Sequence, residues 1–329
     1  MNEDVEGPED IEALEDFEDA EDAEEDERPV VLVVADSADT SVDAVIQAIE
    51  QRDDVRAHRV DPNDIGITTF LVGQIVGKVM SVCVQNEQGR TYSDQIRSVW
   101  WRPPAECLEG WGTLEALLLA CPDIYWIGSP QRINALSSPP RNFLAAAHAG
   151  FETPMIELHP NPGATLLEVT GRWGAARTMS WGGYPFGTGG GLDDLLMVPG
   201  LVFQQRLKHA THQVTVFYVD GQIFAARAEL ADSPLRFESE DVRMPDPLEA
   251  FFDLPEPVAG AVTRFCETFA GGGFIRLRYA MFRLLVSTRD QWWFDTIEPL
   301  GDFWPIEEAT KQPISQAVAT LLATATEED

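Results

Sequence analysis

Three groups of residues in this chain are of types and spacings that could do chemistry. The first is the Gly-rich run GGYPFGTGGG at 182–191. Successive backbone N–H groups in such a loop can cradle phosphates. Its spacing fits neither a dinucleotide-binding turn nor a P-loop, and it does not join a strand to a helix, so a surface turn is the competing reading. The second is His209 and His212, three apart, a spacing that metals use, although no third ligand follows nearby. The third surrounds the last pair of apolar runs, FIRLRYAMFRLLVS and QWWFDTIE, which carry Arg283, Asp295, Thr296 and Glu298, with Asp302 just beyond. A two-residue turn at Arg289-Asp290 sets Arg283 opposite Thr296, with Glu298 on the same face. Strict alternation puts Asp295 on the other face.

The elements that must position these residues begin at Pro29. VVLVVAD (30–36) is a continuous apolar strand of the kind buried in parallel sheets. A helix follows, with Val42, Val45, Ile46 and Ile49 at helical spacing. A second strand, VRAHRVD, ends at Pro62. This β-α-β opening predicts an α/β lobe. Further strands are expected at 79–85 and 96–101, then helices near 112–121 and 141–149, the latter stopping at Gly150. From Glu157 the chain reads as strands: LLEVT, AARTMSW, VFQQRL and QVTVFYVDGQIFAARAEL, with Asp220-Gly221 as a hairpin turn. A helix near 257–270, the final two strands and a helix near 313–324 complete an α+β region. Trp100-Trp101 and Trp292-Trp293 read as packing residues.

Composition narrows the function classes. Of 329 residues 44% are apolar, enough for a substantial core. No run approaches the roughly 20 apolar residues of a membrane span. The N-terminus carries carboxylates where a secretory signal carries positive charge and an apolar segment. Cys83, Cys107, Cys121 and Cys266 are scattered without a CxxC pair, which predicts reduced core thiols. Together these favour the cytoplasm. The formal net charge is −32, a field that repels nucleic-acid phosphates and anionic membranes, so neither is an expected partner. Residues 1–28 hold sixteen carboxylates against Arg28. That block is too poor in apolar residues to fold and reads as a disordered acidic arm, either a solubilising tail or a lure for a basic peptide.

The order of features carries more than any single one. VVLVVADSADTSVDAVIQAIEQRDDVRAHRVDPNDI is followed by RSVWWRPP, then by the helix exit AAAHAGFETP, VFQQRL, the QVTVFYVDG hairpin and LRYAMFRLLVSTRDQWWFDTIEPLG. This succession, over about residues 30–324, resembles the ATP-grasp ligases that mature ribosomal peptides, the microviridin-type or graspetide synthetases. The resemblance implies a pre-ATP-grasp α/β lobe at 29–125 and an ATP-grasp-like α+β region of two lobes at 126–329. It also implies ATP and Mg²⁺ as cofactors. Such enzymes phosphorylate a carboxylate, and a hydroxyl or amine then captures the acyl phosphate to close a macrocyclic ester or amide. The physics is positioning plus neutralisation of phosphate charge.

The resemblance also exposes departures. In the family the first strand of the final hairpin carries a metal-binding aspartate, and a Glu-x-Asn-Pro-x-Gly run lies on the second. Aligning EPLG (298–301) with that ending puts Glu298 at the asparagine, Thr296 at the glutamate and Arg283 at the aspartate. Glu298 and Asp302 remain as metal-ligand candidates, and Asp302 would have to reach back. A guanidinium on that face repels Mg²⁺. It could pair with Glu298 instead, or contact the phosphates itself. The nucleotide positions implied by the family are Arg141, Arg177, Gln204, Gln205, Leu207, Gln213 and Arg283. Arg177 stands for a lysine over the phosphates, Gln205 for a hinge glutamate and Gln213 for an arginine, and no lysine lies between Lys78 and Lys208. Arginine keeps the charge of lysine but not its geometry. Two readings result. One is an active ligase with rearranged ligands. The other, favoured by the altered positions, is a non-catalytic ATP-grasp-like protein that binds a precursor peptide or pairs with an active grasp-type ligase. A homodimer is compatible with the family.

Overall fold

The structure, a computed structural model, describes residues 26–76, 79–102, 111–121, 124–136, 138–159, 176–179, 201–205, 210–230, 253–268 and 276–324. The acidic residues 1–25, the Gly-rich run at 182–191, the LLEVT strand, Cys107, Leu207 and His209 lie outside the described residues.

β1 (Val30–Ala35) is buried along its whole length, as a valine run between two covering layers must be. α1 (Thr40–Glu50) follows, its first turn capped by Asp39, whose side chain accepts from the Val42 N–H. β2 (Arg56–Val60) pairs parallel with β1. β3 (Phe70–Val76), β4 (Val79–Asn86) and β5 (Gly89–Tyr92) form a separate antiparallel sheet. β6 (Ile96–Arg102) returns to the other side of β1, also parallel, and α2 (Trp111–Leu119) and β7 (Tyr125–Ile127) follow. The order β2-β1-β6-β7 reverses between β1 and β6, the position where open α/β sheets form a crevice at their strand ends. Val31, Val33, Trp100 and Ile127 pack under α1 on one side, and Leu32, Val34, Val99 and Trp101 meet Val82, Val84, Leu114 and Leu118 on the other.

The second half is antiparallel. α3 (Pro130–Leu136), not anticipated from the sequence, leads into α4 (Pro139–Ala149), which ends on Gly150 at φ +99°. β8 (Ile156–His159), β9 (Ala176–Met179) and β10 (Leu201–Gln205) make a sheet in the order β8-β10-β9. β11 (Ala210–Val219) and β12 (Gln222–Glu229) are joined by Asp220-Gly221, both at positive φ, the two-residue turn expected from the sequence. α5 (Glu256–Thr268), β13 (Tyr279–Ser287), β14 (Trp292–Glu298), α6 (Trp304–Thr310) and α7 (Ile314–Thr324) complete the chain. The four-stranded sheet runs β12-β11-β13-β14. Its free edge at β12 is covered by one side chain: Gln312 donates to the Ala225 carbonyl at 2.8 Å and accepts from the Ala225 N–H at 3.1 Å. On the opposite edge the Phe294 N–H donates to the Glu152 carbonyl at 2.8 Å.

α7 joins the two halves. Val318 and Leu322 sit in one buried cluster with Val33 of the parallel sheet, Val45 of α1, and Phe217 and Met281 of the antiparallel sheet. Among the described residues no helix is long and apolar enough to cross a membrane. Cys83, Cys121 and Cys266 are thiols outside any disulfide, and burial pushes Cys266 well up, so it stays protonated. Trp100 and Trp101 are buried, while Trp292 and Trp293 are half-buried.

One histidine ties the parallel sheet to the β3–β5 sheet. His58 is fully buried, with Thr91 Oγ1 2.5 Å from Nδ1 and Asn86 Oδ1 2.9 Å from Nε2. Asn86 Nδ2 donates to the Arg59 carbonyl, which leaves Oδ1 facing the ring as an acceptor, so Nε2 carries the proton. Burial pushes the His58 pKa down, opposed by the Asn86 hydrogen bond and helped by Arg56. A folded-state pKa below the unfolded value gives stability that is complete above about pH 6.5 and declines as pH falls through the folded pKa. Thermal unfolding of wild type is therefore expected to drop on acidification below about pH 6.5, and His58→Gln to flatten that part of the profile. Identical slopes for the two proteins would remove His58 as the cause.

Candidate functional site

The two faces of the four-stranded sheet differ. Directly paired residues share a face, so the register β11–β13–β14 places Val216 with Phe282 and Ile297 on one face and Thr215 with Arg283 and Thr296 on the other. The first face is apolar. Val214, Val216, Phe282, Leu284 and Phe294 pack under Phe143 and Ala146 of α4 and Val262 and Phe265 of α5. On the second face the end bearing Phe217 and Met281 is buried under α7. Next to it Thr215, Arg283 and Thr296 form a polar row, with Glu298 on one side of it, paired to Met281, and Gln213 on the other, paired to Leu285.

The register of the last hairpin reaches its expected result by an unexpected route. The connection has three residues rather than two: the Ser287 N–H donates to the Gln291 carbonyl, Thr288–Asp290 lie between, and Asp290 adopts φ +59°. That shifts the pairing, so that Leu284 faces Phe294. A bulge then inserts Asp295, and beyond it Arg283 faces Thr296. The bulge removes the strict alternation on which the placing of Asp295 on the other face depends. Asp295 is 6% exposed, and its charge is close enough to Glu298 to push that carboxyl up.

Arg283 and Glu298 form an ion pair, Nη2 to Oε1 at 2.8 Å, with side chains 21% and 36% exposed. Burial pushes the Glu298 carboxyl above its usual range, and Arg283 opposes that rise. The set does not fit Mg²⁺, which demands about six oxygen ligands in near-octahedral array. A guanidinium lies across the carboxylate that would be the ligand. Among the described residues no group of three His, Cys, Asp or Glu side chains is placed to hold a metal. His212 lies 4.0 Å from Glu229 and 3.0 Å from the Thr211 hydroxyl. A guanidinium, a hydroxyl and the Gln213 amide on one polar face are instead a donor set for a polyanion.

Asp302 does not turn back to this face. Its Oδ1 accepts from Ser41 Oγ at 2.5 Å and from the Trp304 N–H at 3.1 Å, which fixes it at the junction with α1. That junction was not legible as a site. Arg102, from the SVWWRPP run, ends β6 at the reversal point of the parallel sheet. It is buried, donates to Asp39 Oδ2 at 2.9 Å, reaches the Gly301 carbonyl at 3.4 Å and lies 5.0 Å from the Trp100 ring. The Tyr279 hydroxyl also donates to Gly301 O, at 2.9 Å, and burial holds it protonated with a pKa pushed up to about 12. Gly301 is required there, because a Cβ would come 2.5 Å from Met281 Cβ. The crevice at the strand ends is thus filled by the segment that follows Glu298.

The remaining candidate positions are distributed over both lobes. Arg177 on β9 faces Gln204 on β10, with Gln205 facing Ala176. Gln213 lies one paired step from Thr215 and Arg283 on the polar face. Arg141 is in the first turn of α4, the helix on the opposite side of the sheet.

No protein-family model matches this chain, and no curated protein matches it. Solved structures do. A ligase from Chryseobacterium gregarium, an ATP-grasp ligase associated with ribosomally made and modified peptides and solved with ADP and a leader and core peptide, is 17% identical at a TM-score of 0.74, covering 89% of this chain and 96% of that one. The macrocyclase MdnC from Microcystis aeruginosa MRC, bound with its precursor peptide MdnA, is 18% identical at a TM-score of 0.71, covering 90% and 100%. The ATP-grasp ligase PsnB, solved with minimal precursor, Mg and ADP, is 15% identical at a TM-score of 0.63, covering 89% and 96%. The chain has the ATP-grasp fold.

Proposed function

Taking the ATP-grasp fold as premise, we propose that this chain is a peptide-binding relative of the ligases that mature ribosomal peptides, with phosphoryl transfer lost or strongly reduced. The observation that carries this reading is the Arg283–Glu298 ion pair at 2.8 Å. It lies where the resemblance expects the metal ligands. Joining a carboxylate to an amine or hydroxyl through an acyl phosphate requires the charge on the transferred phosphoryl group to be neutralised. One well-placed group of that kind is worth roughly 3–4 kcal/mol. With Arg283 and Thr296 at two of the ligand positions, the barrier rises by orders of magnitude. What remains is the polar row Thr215, Arg283 and Thr296 on the β11–β14 sheet, with Glu298 paired onto it. Its partners on this reading are a precursor peptide in the cytoplasm and an active grasp-type ligase or a second copy of the chain.

The test is ADP release from ATP, with and without Mg²⁺, in the presence of a candidate precursor peptide that binds the chain. Release at background in both conditions is expected. Magnesium-dependent turnover would overturn the reading. One observation favours the alternative of an active ligase with relocated ligands: Asp295, at the bulge, is buried and its charge is felt at Glu298. On that alternative, turnover depends on Mg²⁺ and is abolished by Asp295→Asn.

A further inference from the structure

The misfit between this site and Mg²⁺ has a positive counterpart. We infer that the site accepts a polyphosphate chain directly on the Arg283 guanidinium without a divalent cation, and that Glu298 is an internal competitor the phosphates must displace. The inference rests on the ATP-grasp-derived reading proposed above, and it gives the Arg283 face a mode of binding.

The geometry supplies each part. Arg283 pairs with Thr215 on one side and Thr296 on the other, and its side chain is 21% exposed, so solvent reaches part of it. Its bond to Glu298 uses Nη2 and Oε1. A phosphate oxygen and a carboxylate oxygen make the same kind of charge-assisted bond to a guanidinium, so the two ligands exclude each other at that nitrogen. Thr296 offers a hydroxyl and Gln213 an amide within the same face, neutral donors that add no repulsion to an anion. The carboxylates of Glu298 and Asp295 do repel it. The resting site is therefore self-neutralised, and entry of an anion requires the guanidinium to change partners.

This gives opposite signs for two readings of one residue. If Glu298 is a metal ligand, neutralising it weakens nucleotide binding. If it is the competitor, neutralising it frees Arg283 and strengthens binding. The experiment is calorimetric titration of the full chain with ATP, and separately with inorganic tripolyphosphate, in EDTA and in millimolar MgCl₂. Wild type, Glu298→Gln and Arg283→Met are compared, each checked for an unchanged thermal transition profile. Expected are wild-type binding that survives EDTA, affinity raised about tenfold in Glu298→Gln, and affinity lowered about tenfold in Arg283→Met, the size of one charge-assisted bond. Weaker binding by Glu298→Gln, loss of wild-type binding in EDTA, or no effect of Arg283→Met would each overturn the inference. A protein that binds ATP only with magnesium yet releases no ADP would sink this inference and leave the functional reading standing. Magnesium-dependent ADP release would sink both.

Discussion

Replacing Arg283 with aspartate is expected to convert a protein indifferent to magnesium into one whose thermal stability rises with the ion. The substitution removes the cation that now pairs with Glu298 and puts a second carboxylate beside it, with the charge of Asp295 also felt there. Without metal these repel, and burial already penalises the Glu298 charge. Breaking a buried pair costs about 3–5 kcal/mol, but the partial exposure of both partners reduces this to about 1–3 kcal/mol. With metal the same carboxylates become ligands. An ion present at tenfold its dissociation constant adds about 1.4 kcal/mol of stability, which for a chain of this size is a rise of a few degrees. Thermal denaturation in EDTA and in 10 mM MgCl₂ reads the effect directly. If wild type gains as much from magnesium as Arg283→Asp does, the ion already has a seat and the assignment of Arg283 is wrong.

The second large effect lies at the junction. Arg102→Ala should cost about 3 kcal/mol in urea-induced unfolding, because it strands a carboxylate and removes packing from a buried position at once. Asp39 has two tasks, capping α1 through Oδ1 and holding Arg102 through Oδ2. The Gly301 carbonyl would keep only the Tyr279 hydroxyl. Arg102→Lys retains the charge but not the fork that spans Asp39 and Gly301, so it should recover less than half of the loss. A cost below about 1 kcal/mol for Arg102→Ala would mean that Arg102 does not hold the junction.

The parallel sheet was legible because its signals are local. VVLVVA has no polar position and so must lie in the middle of a covered sheet, and the α1 stripe of Val42, Val45 and Ile49 is buried as its spacing demands. The site was legible only in part. The pairing of Arg283 with Thr296 follows from the sequence, but by way of a two-residue turn the chain does not make. A third loop residue shifts the strands one way and the bulge at Asp295 shifts them back. Strict alternation cannot reveal a bulge, so it does not fix the face of Asp295. Arg102 was missed for a different reason. Its partners Asp39 and Gly301 are far away in the chain, and only the order of strands in the parallel sheet brings them together. Asp302 was misjudged because reach along the chain does not predict which neighbour a carboxylate meets first, and here Ser41 is that neighbour.

The two outer borders of the four-stranded sheet bear on how a peptide could be received. Gln312 presents its amide to Ala225 as a stand-in for one more peptide unit, and Glu152 does the same for Phe294 with its own main chain. At both positions the hydrogen-bonding groups that would greet an incoming extended segment are already satisfied. A guest chain therefore cannot enlist there as a fifth strand. At those two positions recognition falls to side chains across the sheet's surface, with sequence rather than backbone shape as the password.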